Sequence, residues 1–301
     1  MVTGHAHPSY AEAFAEFGRP RELSQCGGWV LERDVPGTSY RDAMGCYPLF
    51  ACRDWAGLKE DVDALTGDLV SLAMVPDPFG AYQIEDLERT FDFVQPFKEH
   101  VVVDLSDSWE KRIIRHHRRK CKRAFGEMEV KRCTDPQEYL DDWVVLYDHL
   151  IGKHEIKDMR TFSRFSLSRQ LDIPGASFFV ALREGHVIGG LLTYERGDVA
   201  CAQLTACDDE GYELGASYAL HLVAMRHYAG RLRWFNLTGV PGLDDKGGGG
   251  LRWFKGGWSG QVRQTHFCGR ILNRRVYDTL AAAHGVSADG YFPAYRAGEF
   301  S

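Results

Sequence analysis

Between positions 177 and 205 the chain runs through three apolar segments separated by two turn signals, and no other stretch narrows its fold as much. Segments 177–182, 187–194 and 199–205 read as strands, with Glu184-Gly185 and Arg196-Gly197-Asp198 as the turns between them. A largely apolar helical run, 214–228, follows, and then a further strand-like segment, 233–237. Hairpin strands that feed a long helix and return to another strand describe a mixed α/β sheet.

The rest of the chain fits around that block. Segments 29–32 and 47–52 are strand-like. Trp55, Leu58, Val62 and Leu65 recur at helical steps. The apolar run 69–75 stops at Pro76-Asp77-Pro78, where proline removes a ladder donor and restricts its predecessor. Segment 101–105 is another strand, and 108–125 reads as one helix. Asp135-Pro136-Gln137-Glu138 is a helix start: an N-cap acid, proline at the first helical position and a capping-box glutamate. A strand at 261–268 and a closing helix at 274–284 complete the order. A small α/β domain over 1–100 followed by a second domain over 101–301 is expected.

At 301 residues the chain is long enough to bury a sizeable core. Its 44% hydrophobic and 26% charged residues describe a folded globule, not a disordered chain. No apolar run approaches the ~20 residues of a membrane span, and no signal-peptide layout opens the sequence. Eight scattered cysteines without a Cys-x-x-Cys pair read as buried thiols of a reducing compartment, so a cytoplasmic location is expected. Neither His-Glu-x-x-His nor Gly-x-x-x-x-Gly-Lys occurs, and no metal or cofactor is expected. The net charge of -6 argues against a protein coated in nucleic acid but says little of one local basic surface.

Such a surface is present. Lys111, Arg112, Arg115, Arg118, Arg119, Lys120, Lys122 and Arg123 crowd one predicted helix without an acid among them. Like charges three and four apart repel along a helix, so an anionic partner is expected, with phosphates meeting Arg115, Arg118, Arg119 and Lys122. The other reading is a solvated helix paired with Asp141, Asp142 and Glu127. Ile114, His117, Cys121 and Phe125 form its inward stripe, which makes His117 a packing residue.

A second motif, Gly250-Leu251-Arg252-Trp253-Phe254-Lys255-Gly256-Gly257-Trp258, follows the glycine-rich stretch 244–249. Trp253 and Phe254 can shield Lys255 from water, and Gly256 and Gly257 let backbone approach a ligand. A desolvated cation suits negative charge that develops in a reaction. An ordinary Gly-rich turn with a surface lysine fits the same residues.

In order and spacing these elements resemble the Fem family of aminoacyl-tRNA-dependent peptidyltransferases, built on the GNAT acyltransferase fold. The resemblance rests on Val103-Asp104-Leu105-Ser106, the run from Arg115 to Ala124, Gly189-Gly190-Leu191-Leu192, and Gly250 to Lys255. It lies almost wholly in 101–290 and implies a GNAT-like catalytic domain, in tandem with an abbreviated GNAT-like domain in the first hundred residues. It implies that Lys255 meets donor or tetrahedral-intermediate oxygens, and that the strand edge at Thr205 holds the acyl portion. The donor would be aminoacyl-tRNA. The acceptor would be an amine of a small peptide or peptidyl precursor, from cell-wall or peptide natural-product assembly, and the protein a monomer or weak dimer. The helical-arm insertion of some members is missing.

Asp244 and Asp245 are candidate proton acceptors beside the glycine loop, and His154 and Glu195 are candidates on the acceptor side. Where a GNAT enzyme would hold the pyrophosphate of coenzyme A, this chain has Asp208, Asp209, Glu210 and Glu213, which favour a helix start and repel an anion. An N-acyltransferase using coenzyme A or a carrier-protein thioester is the alternative, and a non-catalytic scaffold for RNA or an anionic protein is the third.

Overall fold

A computed structural model describes residues 2–106, 108–154, 161–239, 249–284 and 291–299. Its first elements are α1 (Pro8–Ala13), β1 (Arg19–Leu23), β2 (Gly28–Asp34), β3 (Arg41–Gly45), α2 (Leu58–Ala64), β4 (Ser71–Met74), α3 (Ile84–Thr90) and β5 (Phe93–Asp104). Then come α4 (Trp109–Arg112), α5 (Arg115–Glu127), β6 (Glu129–Arg132), α6 (Leu140–His154), α7 (Arg164–Leu171), β7 (Ala176–Arg183), β8 (His186–Arg196) and β9 (Val199–Cys207). The last are α8 (Asp209–Leu214), α9 (Ala216–Tyr228), β10 (Trp234–Asn236), α10 (Gly249–Gly256), β11 (Gln261–Ile271) and α11 (Arg274–His284). The chain divides into two compact units: Met1–Lys98 with Gln264–Ser301, and Glu99–Arg263.

In the second unit the strands lie in the order β5-β10-β9-β8-β7-β6. Every pair is antiparallel except β9 and β10. The two expected hairpins are present, and the first turns through Glu184 and Gly185, both with positive φ. One face carries α5 and α9 over a core that includes Phe179, Leu191, Leu220, Met225, Phe235 and Trp258. α8 lies hard against β8: a Cβ on Gly211 would stand 2.1 Å from the Ile188 carbonyl oxygen, so only glycine fits. Glycine also separates α8 from α9, where Gly215 takes a φ of 81°.

The basic segment is not one helix. Ile114 is extended and spends its N–H on the Gly257 carbonyl at 3.1 Å, which ends α4 and starts α5. The inward stripe of α5 is His117, Cys121 and Ala124, while Ile114 and Phe125 are exposed. At Asp135 the expected cap forms, with its carboxylate accepting from Gln137 N at 3.0 Å.

The first unit has the strand order β1-β2-β3-β4-β11, antiparallel except for β3 and β4. Its pairing repeats that of the second unit: a three-stranded meander (β1-β2-β3 or β7-β8-β9), a parallel neighbour reached through helix (β4 or β10), and an antiparallel strand beyond (β11 or β5). Segment 47–52, read as a strand, contributes only a bridge from Phe50 to Pro76. The segment 264–301, assigned from sequence to the second domain, belongs to this unit. Cys268–Ile271 pair with Ser71–Met74, and Tyr277, Ala294 and Tyr295 pack on Val35 and Val70. Arg296, itself buried, clamps buried Asp42 through Nε at 2.6 Å and Nη2 at 3.0 Å. Non-local strand pairing, not chain order, sets the unit.

Candidate active site

The parallel ladder between β9 and β10 covers three rungs, Val199–Cys201 against Trp234–Asn236. Past Asn236 the chain stays with β5, since Leu237 N donates to Val101 O at 2.9 Å. β9 meanwhile continues through Thr205 to Cys207, paired on its other edge with β8, where Thr205 faces Leu191. The two strands thus share no described rung beyond Asn236.

The Lys255 ammonium sits just beyond that last rung. Its Nζ donates to the Gly239 carbonyl at 2.6 Å and to Thr238 Oγ1 at 3.2 Å. The side chain is 7% exposed, so Lys255 is a buried cation and not the surface lysine of an ordinary turn. The motif around it is α10, not a turn. Trp253 projects to solvent at 49% exposure, with its ring against His116 and His117, while Phe254 packs on His117, Tyr218, His221 and Trp258. Gly256 is exposed with open space around it. Gly257 is the glycine with a contact to protect, and the close approach is to a side chain of the protein: a Cβ there would meet His117 Cε1 at 2.1 Å.

Two buried histidines back the lysine. His117 Nε2 donates to Phe254 O at 2.7 Å, and His221 Nδ1 donates to Ser217 O at 2.8 Å. Burial lowers the pKa of His117, the Phe254 bond opposes that shift, and His116 adds to it. Burial pushes His221 down to about 4, against the bond to Ser217 and assisted by the positive charge of Lys255 and by His117. Both rings are therefore neutral near pH 7. The unfolded chain takes up a proton at His221 near pH 6.5, whereas the folded protein resists until about 4. Stability is thus full above pH 6.5 and falls with acidification, by about 3 kcal/mol from this residue across that window. Urea unfolding of His221→Asn should show a shallower slope between those pH values than the wild type; equal slopes would remove His221 as the cause.

The other expected site residues are placed separately. Arg115, Arg118, Arg119 and Lys122 are exposed on α5, and none of them makes an ion pair among the described residues. Of the acids proposed as their partners, Asp141 pairs with Arg164, and Glu127 ends α5 itself. Glu195 pairs with Arg231 at 2.8 Å and lies opposite Ala200, toward the start of β9 and away from the end that carries Thr205. His154 is the exposed last residue of α6. No described contact brings either to Lys255, and Asp244 and Asp245 lie outside the described residues.

At the start of α8 the Asp208 carboxylate accepts from Gly211 N at 2.7 Å, Asp209 pairs with Lys153 and His149, and Glu210 pairs with Arg183. The helix N-terminus is already capped by acid. Burial pushes the Cys121 and Cys207 thiols up to about 12, which makes them packing groups, not nucleophiles. Among the described residues no cluster of three His, Cys, Asp or Glu could hold a metal ion, and no helix is long and apolar enough to cross a membrane.

A sheet of this pairing, with helices on it and a cation beyond its one parallel pair, has the architecture of an acyltransferase domain. A family model described as an acetyltransferase (GNAT) domain matches residues 110–255, from α4 through Lys255, and the fold is that of the GNAT proteins. No curated protein matches the chain. Among solved structures, FemX is similar with a TM-score of 0.64 at 14% identity, over 90% of this chain and 92% of that one. The C-terminal DUF2156 domain of an Agrobacterium fabrum protein assigned as a lysylphosphatidylglycerol synthetase gives 0.65 at 14%, over 96% and 95%. L-PGS from Bacillus licheniformis gives 0.55 at 18%, over 93% and 96%. At these identities the likeness shows the fold, which extends over both units.

Proposed function

We propose that the chain is an N-acyltransferase that moves an acyl group from a thioester donor to an amine. The observation that carries this is the parting of β9 from β10 beside a buried ammonium, within the region matched by the acetyltransferase model. The acyl portion lies along the β9 edge near Thr205. The neutral amine attacks the acyl carbon, a C–N bond forms, and the carbonyl oxygen takes up negative charge opposite Lys255. Collapse breaks the C–S bond, the sulfur leaves with the proton that the amine loses, and the products are an amide and a thiol. Two acceptors among the described residues hold the ammonium before the reaction, so little reorganisation is needed when charge develops. A base is required only to keep the amine neutral.

The acid-capped start of α8 opposes a coenzyme A pyrophosphate, whereas the unpaired cations of α5 suit the acidic surface of a carrier protein. One specific observation favours a second reading. The likeness to FemX spans both units, and the same α5 face suits RNA phosphates; the donor is then aminoacyl-tRNA and the acceptor a peptide or peptidyl amine.

The test presents acyl-carrier protein, acyl-coenzyme A and charged tRNA separately with a panel of amines, and reads amide formation by mass spectrometry. The carrier thioester is expected to turn over. Turnover with charged tRNA that ribonuclease abolishes replaces the first reading with the second, and inactivity with all three sinks both. Arg118→Glu with Arg119→Glu should raise the donor KM roughly tenfold or more and flatten its salt dependence, because both charges face the donor. An unchanged KM and salt slope would detach α5 from donor binding.

A further inference from the structure

We infer that Thr238 is a positioning residue, held in a left-handed backbone conformation so that its hydroxyl and the next carbonyl converge on the Lys255 ammonium. Its φ is 62°. Only two other described residues besides glycine have positive φ: Ser108, which precedes α4, and Glu184, which turns the β7–β8 hairpin with Gly185. Thr238 sits in no hairpin among the described residues and is β-branched, the side-chain type that tolerates this region least. Such strain persists where surrounding bonds over-determine it, and here they are visible.

The Asn236 carboxamide spans the site. Its Oδ1 accepts from Thr238 N at 2.8 Å, and its Nδ2 donates to His100 Nδ1 at 3.2 Å. Asn236 and His100 are both buried, on β10 and β5, where Asn236 lies opposite Val102. Asn236 is thus fixed by the sheet and in turn holds the turn at Thr238. The turn places Thr238 Oγ1 and Gly239 O 3.2 and 2.6 Å from the same ammonium. A glycine at 238 would adopt the same backbone without strain, but it would offer the lysine no hydroxyl. The hydroxyl is what the strain preserves.

This inference rests on the proposed role of Lys255, and the experiment separates the two. Thr238→Gly, Thr238→Ser, Lys255→Met and the Lys255→Met/Thr238→Gly double variant are compared for kcat, KM and melting temperature. Thr238→Gly is expected to melt no lower than wild type, with kcat down about tenfold and KM unchanged, because one hydrogen bond to a charged group is lost. Thr238→Ser should restore kcat to within about twofold, since the hydroxyl returns. The double variant should be no slower than Lys255→Met alone, as expected for residues that act through one group. Wild-type kcat in Thr238→Gly, or a loss in it that follows a fall in melting temperature, overturns the positioning role. Full activity in Lys255→Met overturns the reading of the site itself.

Discussion

Lys255→Met is expected to lower kcat by about 100-fold or more, the usual cost of removing one preorganised donor from a developing oxyanion. Methionine keeps most of the volume of a side chain that is 7% exposed, so the loss tests charge and not packing. The Gly239 carbonyl and the Thr238 hydroxyl each lose their donor, and the fold should weaken by about 1–3 kcal/mol without collapsing. Turnover and thermal unfolding measured on one preparation separate the two effects. A folded variant with wild-type turnover would strip Lys255 of its role.

Gly257→Ala is expected to damage the second unit more than any other single methyl group near the site. The added carbon falls 2.1 Å from His117 Cε1 and 2.3 Å from Nε2, inside the ring that bonds Phe254 O. His117 is fully buried among Trp253, Phe254, Trp258 and Tyr218, so the ring has nowhere to retreat. Overpacking of this kind costs about 3 kcal/mol. Gly256→Ala, one residue earlier and with open space around it, is the control and should melt close to wild type. Equal melting of the two variants would show that the contact is not made as described.

The β7–β8–β9 meander was legible because its turns carry their own chemistry, with glycine at Gly185 and Gly197 where φ must be positive. The inward position of His117 followed from helical spacing, although Ala124 and not Phe125 completes its stripe. α10 was not legible. Glycines at 249, 250 and 256 weaken helix propensity, and the helix is set by Phe254 and Lys255 burying themselves in the unit. The burial of Lys255, the neutral His221 behind it, and the His100–Asn236–Thr238 line depend on contacts between segments far apart in sequence, which no local pattern encodes. Glu195 and His154 have side chains suited to proton transfer, but an ion pair with Arg231 and a helix end account for where they lie.

The division of the chain also orders its birth on the ribosome. Glu99–Arg263 is contiguous, so every rung of its sheet has a partner available once Arg263 has emerged. The other unit is begun first and finished last. Ser71–Met74 must wait with one edge bare until Cys268–Ile271 are made, and Asp42 must wait longer still for Arg296. A bare strand edge invites pairing with other chains while it lasts. The unit that carries the candidate chemistry is thus assembled without the segment after Arg263, while the other unit keeps an edge open to misassembly until that segment is made.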